Sequence, residues 1–164
     1  MPRDPYARAK ARMWLKIPDE IARPALRQLS FEILYRPFLA RMQPDELESL
    51  IARHPNPIRA QKFRSASTSA RDDAAIDEAT ASDRALLSRM DSELKGNEWL
   101  AGPQYSLADV AMTPFVERLE HLGMWNLIGS CPEAARWSRD IMMQATVIAS
   151  CAPADYRLPL DRRQ

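Results

Sequence analysis

The chain has 164 residues, of which 46% are hydrophobic and 27% charged, a composition typical of one globular domain with a sizeable core. Its 23 Lys and Arg residues nearly balance its 22 Asp and Glu residues, so the net charge of +1 gives no general attraction to nucleic acid or to an anionic membrane. No apolar run approaches the roughly 20 residues of a membrane-spanning helix, and no apolar signal segment follows the charged N-terminus, so we expect a cytoplasmic protein.

The residue types favour an all-α fold. Gly occurs only four times, and Val, Ile and Thr are sparse beside Ala and Leu. The first predicted helix has Asp4 as its N-cap and Pro5 at its first position, and it continues to about residue 36. Pro18 and Pro24 each remove a backbone donor, so we expect one long bent helix or two nearly collinear ones.

This opening helix carries two apolar stripes. The first stripe contains Trp14, Ala22, Leu26 and Leu29. The second stripe contains Met13, Ile17 and Ile21, at i, i+4 spacing. A helix with two apolar faces must cover both, so one face packs in the core and the other meets a different surface. Spacing alone leaves ordinary core packing open for the second stripe.

The middle of the chain is predicted to contain two more helices and a loop. The Arg36-Pro37 pair should end the first helix, and Pro44 should begin a short one that runs to His54. Residues 65–69 are small and polar, which is typical of a mobile loop. Residues 72–96 show helical periodicity, and only Asp83 interrupts the apolar stripe.

The strongest local signal is a capping box at Ser106 and Asp109, three residues apart at the start of an apolar segment. Tyr105 and Val110 stand at the positions of a hydrophobic staple. We expect this segment to be the buried central helix, with Ser106 and Asp109 in a structural role. A catalytic hydroxyl and acid would need a histidine, and the sequence places none beside them.

The last predicted helices begin at Cys131-Pro132 and near Val147. Cys131 could be a reactive thiol at a helix N-terminus, but an ordinary residue of the cap region is favoured. The two cysteines do not form a CxxC pair, and no Cys/His cluster has metal-binding spacing, so no metal site is expected. We assign residues 1–151 to the helical domain and residues 152–164 to a disordered tail.

In this order, the motifs resemble the C-terminal helical domain of the glutathione S-transferases. The resemblance covers about residues 4–150. Its main elements are Asp4-Pro5-Tyr6 with Ala11-Arg12-Met13-Trp14, Glu98-Trp99-Leu100-Ala101-Gly102-Pro103 before Tyr105-Ser106-Leu107-Ala108-Asp109, and Cys131-Pro132 with Trp137. Residues 29–37 and 44–47 are similar to the bacterial branch that includes the β-etherases.

The resemblance implies a bundle of about five to seven helices. It also implies that Met13, Ile17 and Ile21 line a pocket for a hydrophobic electrophile. Family members begin with a thioredoxin-like domain that holds the catalytic residue and grips glutathione, and nothing in this sequence corresponds to it. We therefore expect no catalytic residue here. Glutathione is the co-substrate implied by the family, and no cofactor is expected to bind this domain alone. The implied partner is a second copy of the chain or a thioredoxin-like domain.

Two functions remain open from the sequence. The first is a part in glutathione conjugation or β-aryl-ether cleavage, if a thioredoxin-like domain is supplied. The second is a non-catalytic helical interaction module or a truncated remnant. Whether the chain belongs to an enzyme therefore stays undecided at this point.

The residues predicted for the core are Trp14, Leu26, Leu29, Leu86, Met90, Leu107, Val110, Phe115, Leu119 and Trp137.

Overall fold

The computed structural model describes residues 1–150, and all regular secondary structure in that range is helical. The all-α prediction is therefore confirmed. The helices are α1 (Pro5–Ile17), α2 (Arg23–Ser30), α3 (Arg36–Ala40), α4 (Pro44–Ala52), α5 (Pro57–Thr68), α6 (Asp73–Leu94), α7 (Leu107–His121), α8 (Trp125–Gly129), α9 (Pro132–Met142) and α10 (Ala145–Ser150). The segments α1, α2 and α3 are continuous, so residues 1–150 contain eight separate helices where about five to seven were expected.

Two π-helical turns, Pro18–Ala22 and Phe31–Tyr35, join the three segments of the long first helix. Arg23 N donates to Pro18 O across the first turn, and Arg36 N donates to Phe31 O across the second. A proline follows each closing residue, and its ring would clash with the carbonyl four residues back in a regular α-helix. In each case the carbonyl four residues before the proline lies within the wider π-turn, which relieves the clash. The helix therefore continues past both prolines.

The prediction that Arg36-Pro37 ends the first helix is therefore wrong, because the helix continues to Ala40.

The long helix lies antiparallel to α6. Lys10 Nζ is 2.5 Å from Glu93 Oε2 near the end of α6, and the amide of Asp72 donates to Glu32 Oε2 (3.2 Å) just before α6 begins. This antiparallel pair forms one side of the main core.

The main core is formed by α1, α2, α6, α7 and α9, together with the loop between α6 and α7. Seven of the predicted core residues are buried: Trp14, Leu29, Leu86, Met90, Phe115, Leu119 and Trp137. Leu26 is partly buried against the same cluster. Leu107 and Val110 were predicted wrongly, since they are 45% and 46% exposed. The start of α7 buries its other side through Ala108 and Met112.

A smaller second cluster lies under α4 and α5, where Phe31, Leu39 and Ala66 are buried. The loop predicted for residues 65–69 is wrong, because α5 runs through Thr68. The Arg36 guanidinium holds this end of α5 by donating to Ala66 O (3.3 Å), Ser69 O (3.1 Å) and Ser69 Oγ (2.7 Å). The tertiary contact with Arg36 thus stabilises a sequence of weak helical character.

The predicted disordered tail at residues 152–164 lies outside the described residues, as does the last residue of the predicted domain. Within residues 1–150, no helix combines the length and the apolar character needed to cross a membrane.

Candidate functional site

The three residues of the predicted electrophile pocket do not share one environment. Ile17 is buried in the main core (4% exposed), whereas Met13 and Ile21 are 58% and 37% exposed. The π-turn Pro18–Ala22 accounts for the change between Ile17 and Ile21. A π-turn contains more residues than an α-helical turn, so the i, i+4 register of the stripe is lost between Ile17 and Ile21. Ile17 can therefore contribute to a pocket wall only from beneath its surface.

Ile21 lies in an open groove of about 640 Å³ between the long helix and α6. Apolar atoms of Pro24 and Ala79 form part of its floor. Three carboxylate residues also line it: Glu20, Asp72 and Glu78. Negative charges around an apolar surface disfavour an anionic ligand, so this groove suits a neutral apolar one.

A second cleft, of about 940 Å³, lies between the N-terminal residues and the loop that precedes α7. Tyr6 lines it and is 78% exposed. Lys10 lies at the same cleft and is paired with Glu93. Residues 101–104 form the opposite wall.

Exposed apolar side chains also occupy the first turns of α7, where Leu107 and Val110 lie three residues apart. Residues at i and i+3 lie on the same face of a helix, so the two side chains form one apolar patch. We call Leu107 and Val110 the α7 patch. The side chains between them, Ala108 and Asp109, are completely buried. The α7 patch therefore faces away from the core of this domain.

The capping box under the α7 patch has the following geometry. Ser106 Oγ accepts a hydrogen bond from Ala108 N (3.1 Å), and the amide of Ser106 donates to Asp109 Oδ2 (2.9 Å). Ser106 Oγ also donates to the same carboxylate oxygen (3.1 Å). The Ser106 hydroxyl is thus committed to the helix terminus.

Asp109 also forms tertiary hydrogen bonds that the sequence did not reveal. Its Oδ1 accepts from the amide of Leu100 (3.0 Å) and from Trp137 Nε1 (2.9 Å) of α9. One buried carboxylate therefore connects the start of α7, the preceding loop and α9. No short sequence motif could have identified the partners at Leu100 and Trp137, because the fold brings them there.

The loop on Asp109 contains a tight turn closed by two hydrogen bonds between Trp99 and Gly102, each 3.0 Å long. Gly102 has φ +135°, a conformation that side-chain-bearing residues rarely adopt, so glycine is required there. The Trp99 ring meets Tyr105 edge-on, with 5.1 Å between ring centroids. Burial, and to a smaller degree the charge of Asp109, raise the pKa of Tyr105.

The described residues bring together no catalytic triad. His54 Nδ1 bonds to the backbone of Asn56, and His121 Nδ1 lies 3.4 Å from Arg118 Nη1, so neither ring serves Ser106. Cys131 is buried, which favours an ordinary structural residue of the helix cap region over a reactive thiol. Across residues 1–150, no three His, Cys, Asp or Glu side chains are arranged to hold a metal ion.

Comparison with known proteins gives a consistent family signal. Residues 39–145 match the family model described as the glutathione S-transferase C-terminal domain. The glutathione S-transferase GstB of Escherichia coli strain K12 is 31% identical over 78 residues, which are 47% of this chain and 36% of GstB.

Two solved structures show the same fold. β-Etherase LigF from Sphingobium sp. strain SYK-6 has a TM-score of 0.74 and 22% identity, with 90% of this chain and 63% of LigF covered. A glutathione transferase from Burkholderia graminis, solved with two glutathione molecules bound per subunit, has a TM-score of 0.62 and 22% identity, with 91% and 51% covered. The chain thus spans less than two thirds of each of these relatives.

Proposed function

The chain belongs to the glutathione S-transferase C-terminal domain family, and from this premise we propose that it forms the helical half of a glutathione-dependent transferase. The observation that carries the proposal is the exposure of the α7 patch on a helix whose opposite side is buried in the main core. Apolar side chains that are paired on one face and uncovered are typical of a surface that meets another domain. We propose that a thioredoxin-like domain covers this patch.

In this arrangement, the thioredoxin-like domain binds glutathione and this chain contributes one wall of the electrophile pocket. Met13 and Ile21 provide the exposed part of that wall, and Ile17 supports it from beneath. The carboxylates in the groove beside Ile21 favour a neutral electrophile over an anionic one.

The reaction is attack of the glutathione thiolate on an electrophilic carbon. A carbon–sulfur bond forms, and the electron pair of the broken bond leaves with the departing group. With an aryl halide that group is halide. With a β-aryl ether it is a phenolate, and the fold shared with LigF makes this second substrate class worth testing. We further propose that the assembled protein is a homodimer and acts in the cytoplasm.

A chimera tests this function. Residues 1–150 would replace the matching helical part of E. coli GstB, and turnover of a chromogenic aryl halide and of a β-aryl ether would be measured with glutathione. We expect glutathione-dependent turnover of at least one substrate. A folded chimera that binds a glutathione column but converts neither substrate would favour the non-catalytic module. The chain alone should pass through that column, and its retention would contradict the division of labour between the two halves.

Variants of the α7 patch provide the matched control. Leu107→Ser combined with Val110→Ser should lower turnover by the chimera, because the interface between its two halves loses apolar area. Ile58→Ser makes the same chemical change at a side chain that is 80% exposed on α5, and it should leave turnover unchanged. Equal turnover by both variants would exclude the α7 patch as the interface.

A further inference from the structure

A pocket of about 200 Å³ lies between the long helix and α5, separate from the groove at Ile21. One wall comes from Arg27, Phe31 and Tyr35 of the long helix. The other wall comes from Arg59, Lys62 and Phe63 of α5. Cationic and aromatic side chains thus face each other across a small space.

The cationic side chains of this pocket form no salt bridge within the described part of the chain. Among residues 1–150, no ion pair involves the side chain of Arg27, Arg59 or Lys62. The Lys62 ammonium lies 4.0 Å from the centroid of the Phe31 ring, a cation–π contact. Burial, and to a smaller degree the charge of Arg27, lower the pKa of Lys62, while the charge of Glu32 acts in the opposite direction.

The acid beside the pocket is already engaged. Glu32 is only 1% exposed and accepts hydrogen bonds from Arg36 Nε, from Arg36 Nη2 (3.0 Å) and from the amide of Asp72 (3.2 Å). The Glu32–Arg36 pair is close to neutral as a unit. Three positive charges on Arg27, Arg59 and Lys62 therefore remain for a ligand.

The aromatic side chains of the pocket form a stacked group. The Phe63 ring stacks with both Phe31 and Tyr35, with centroid distances of 6.3 Å and 6.4 Å and interplanar angles of 23° and 15°. Such a group offers flat apolar surface to a further ring. Since a cavity of about 150 Å³ can hold benzene, the space here accommodates one substituted ring and little more.

We propose that this pocket binds a small aromatic carboxylate. The ligand's ring lies against Phe63 and the partly exposed Tyr35, and its carboxylate is held by Arg59 and Lys62 with Arg27 beside them. Guanidinium groups match the planar geometry of a carboxylate, and Lys62 adds a mobile point charge. The pocket shares no residue with Met13, Ile17 or Ile21, so the failure of this proposal would leave the proposed function standing.

Titration of the ¹⁵N-labelled chain with benzoate, followed by NMR, tests the proposal. We expect saturable shift changes confined to the amides of α2, the turn Phe31–Tyr35 and α5, with a dissociation constant of about 1 mM or below for so small a ligand. Shift changes that do not saturate, or that spread over the whole chain, would overturn it.

Single-charge variants test the recognition of the carboxylate. Lys62→Gln and Arg59→Gln should each weaken benzoate binding by at least about tenfold, since each removes one charge-assisted contact. Lys95→Gln makes the same change as Lys62→Gln at an exposed lysine just after α6 and should bind benzoate as the parent does. Circular dichroism would verify that all three variants stay folded. Unchanged affinity in both folded pocket variants would refute the proposal.

Two further ligands separate the contributions of charge and ring. Benzamide keeps the ring without the charge, and inorganic phosphate keeps a negative charge without the ring. Both should bind at least about tenfold more weakly than benzoate if charge and ring act together. Benzamide binding as tightly as benzoate would reduce the pocket to an apolar slot. Phosphate binding as tightly as benzoate would show that the ring is not recognised, and either outcome contradicts the proposal.

Discussion

Asp109 and Asp83 are both completely buried, yet their surroundings differ in one decisive respect. Asp109 accepts four hydrogen bonds, two from the N-cap residue Ser106, one from Leu100 in the preceding loop and one from Trp137 of α9. Neither carboxylate oxygen of Asp83 has a hydrogen-bond partner. Burial accordingly raises the pKa of Asp83 to about 7.

The difference follows in part from the position of each residue on its helix, and in part from the Leu100 and Trp137 donors that the fold brings to Asp109. The first turn of a helix has backbone N–H groups that no carbonyl of the helix accepts, so an acid placed there finds donors. Asp83 lies in the middle of α6, where the helix itself uses every backbone N–H. A buried carboxylate thus stabilises the fold only where the chain supplies donors, and predictions of opposite sign follow for the two sites.

Loss of the Asp109 carboxylate should have the largest effect. Asp109→Ala leaves the buried Leu100 amide and Trp137 Nε1 without an acceptor and also removes half of the capping box. We expect the free energy of unfolding to fall by about 4 kcal/mol, measured by urea titration at pH 8. A fall of less than about 1 kcal/mol would show that the hydrogen bonds of Asp109 do not stabilise the fold.

The next effect is a pH dependence that originates at Asp83. Its pKa is about 7 in the folded chain and near 3.8 in the unfolded one, so the folded state holds the proton more tightly. Between these values, rising pH ionises the unfolded chain first. The free energy of unfolding should therefore fall, by on the order of 3 kcal/mol, from pH 4 to about pH 7 and then level off.

Glu32 produces the opposite slope in a different pH range. Despite its burial, the hydrogen bonds from Arg36 and Asp72 lower the pKa of Glu32 below 4.5. Its stabilisation is complete above pH 4.5 and is lost as the pH falls through the folded pKa. Urea titrations from pH 3 to pH 8 should therefore show a stability maximum near pH 4 to 5. A steady rise up to pH 8 would contradict the assignment to Asp83.

Substitution of Asp83 should stabilise the protein. Asp83→Asn removes the charge at nearly constant volume, although an amide is then buried in its place. We expect a gain of roughly 2 kcal/mol at pH 8 and none at pH 4, where the carboxyl is already neutral. Comparison of the variant's pH profile with that of the parent isolates the Asp83 contribution, and a loss of stability at pH 8 would refute it.

The smallest of these effects is expected for the Ser106 hydroxyl. Ser106→Ala removes the acceptor for Ala108 N, while Asp109 still accepts from the backbone of residue 106. The free energy of unfolding should fall by about 1 kcal/mol, the usual contribution of an N-cap. A loss comparable to that of Asp109→Ala would mean that the hydroxyl, rather than the carboxylate, organises this site.

Short sequence motifs correctly predicted the features of the fold that depend on contacts between neighbouring residues. The capping residues Ser106 and Asp109 were identifiable because both lie within one helical turn. The interruption of the α6 stripe by Asp83 was also visible in the sequence. The sequence did not show whether the Asp83 carboxylate would be hydrogen-bonded. Donors on other helices could have reached it, but within residues 1–150 none does.

Features that depend on tertiary contacts were missed or reversed. α5 has only a weak apolar stripe, and its polar end is held by Arg36 from a distant part of the chain. Leu107 and Val110 belong to a helix that is apolar on several sides, so the sequence could not tell which side meets the core. The π-turns, which moved Ile21 out of register with Ile17, arise from prolines that the sequence suggested would bend or break the helix.

The most direct test of the account concerns the α7 patch. The ¹⁵N-labelled chain would be titrated with a separately expressed segment of E. coli GstB that this chain does not match and followed by NMR, in the parent and in the Leu107→Ser, Val110→Ser variant. The account predicts saturable shift changes at the start of α7 in the parent and binding at least about tenfold weaker in the variant. Equal binding by both, or no change at the start of α7, would contradict it.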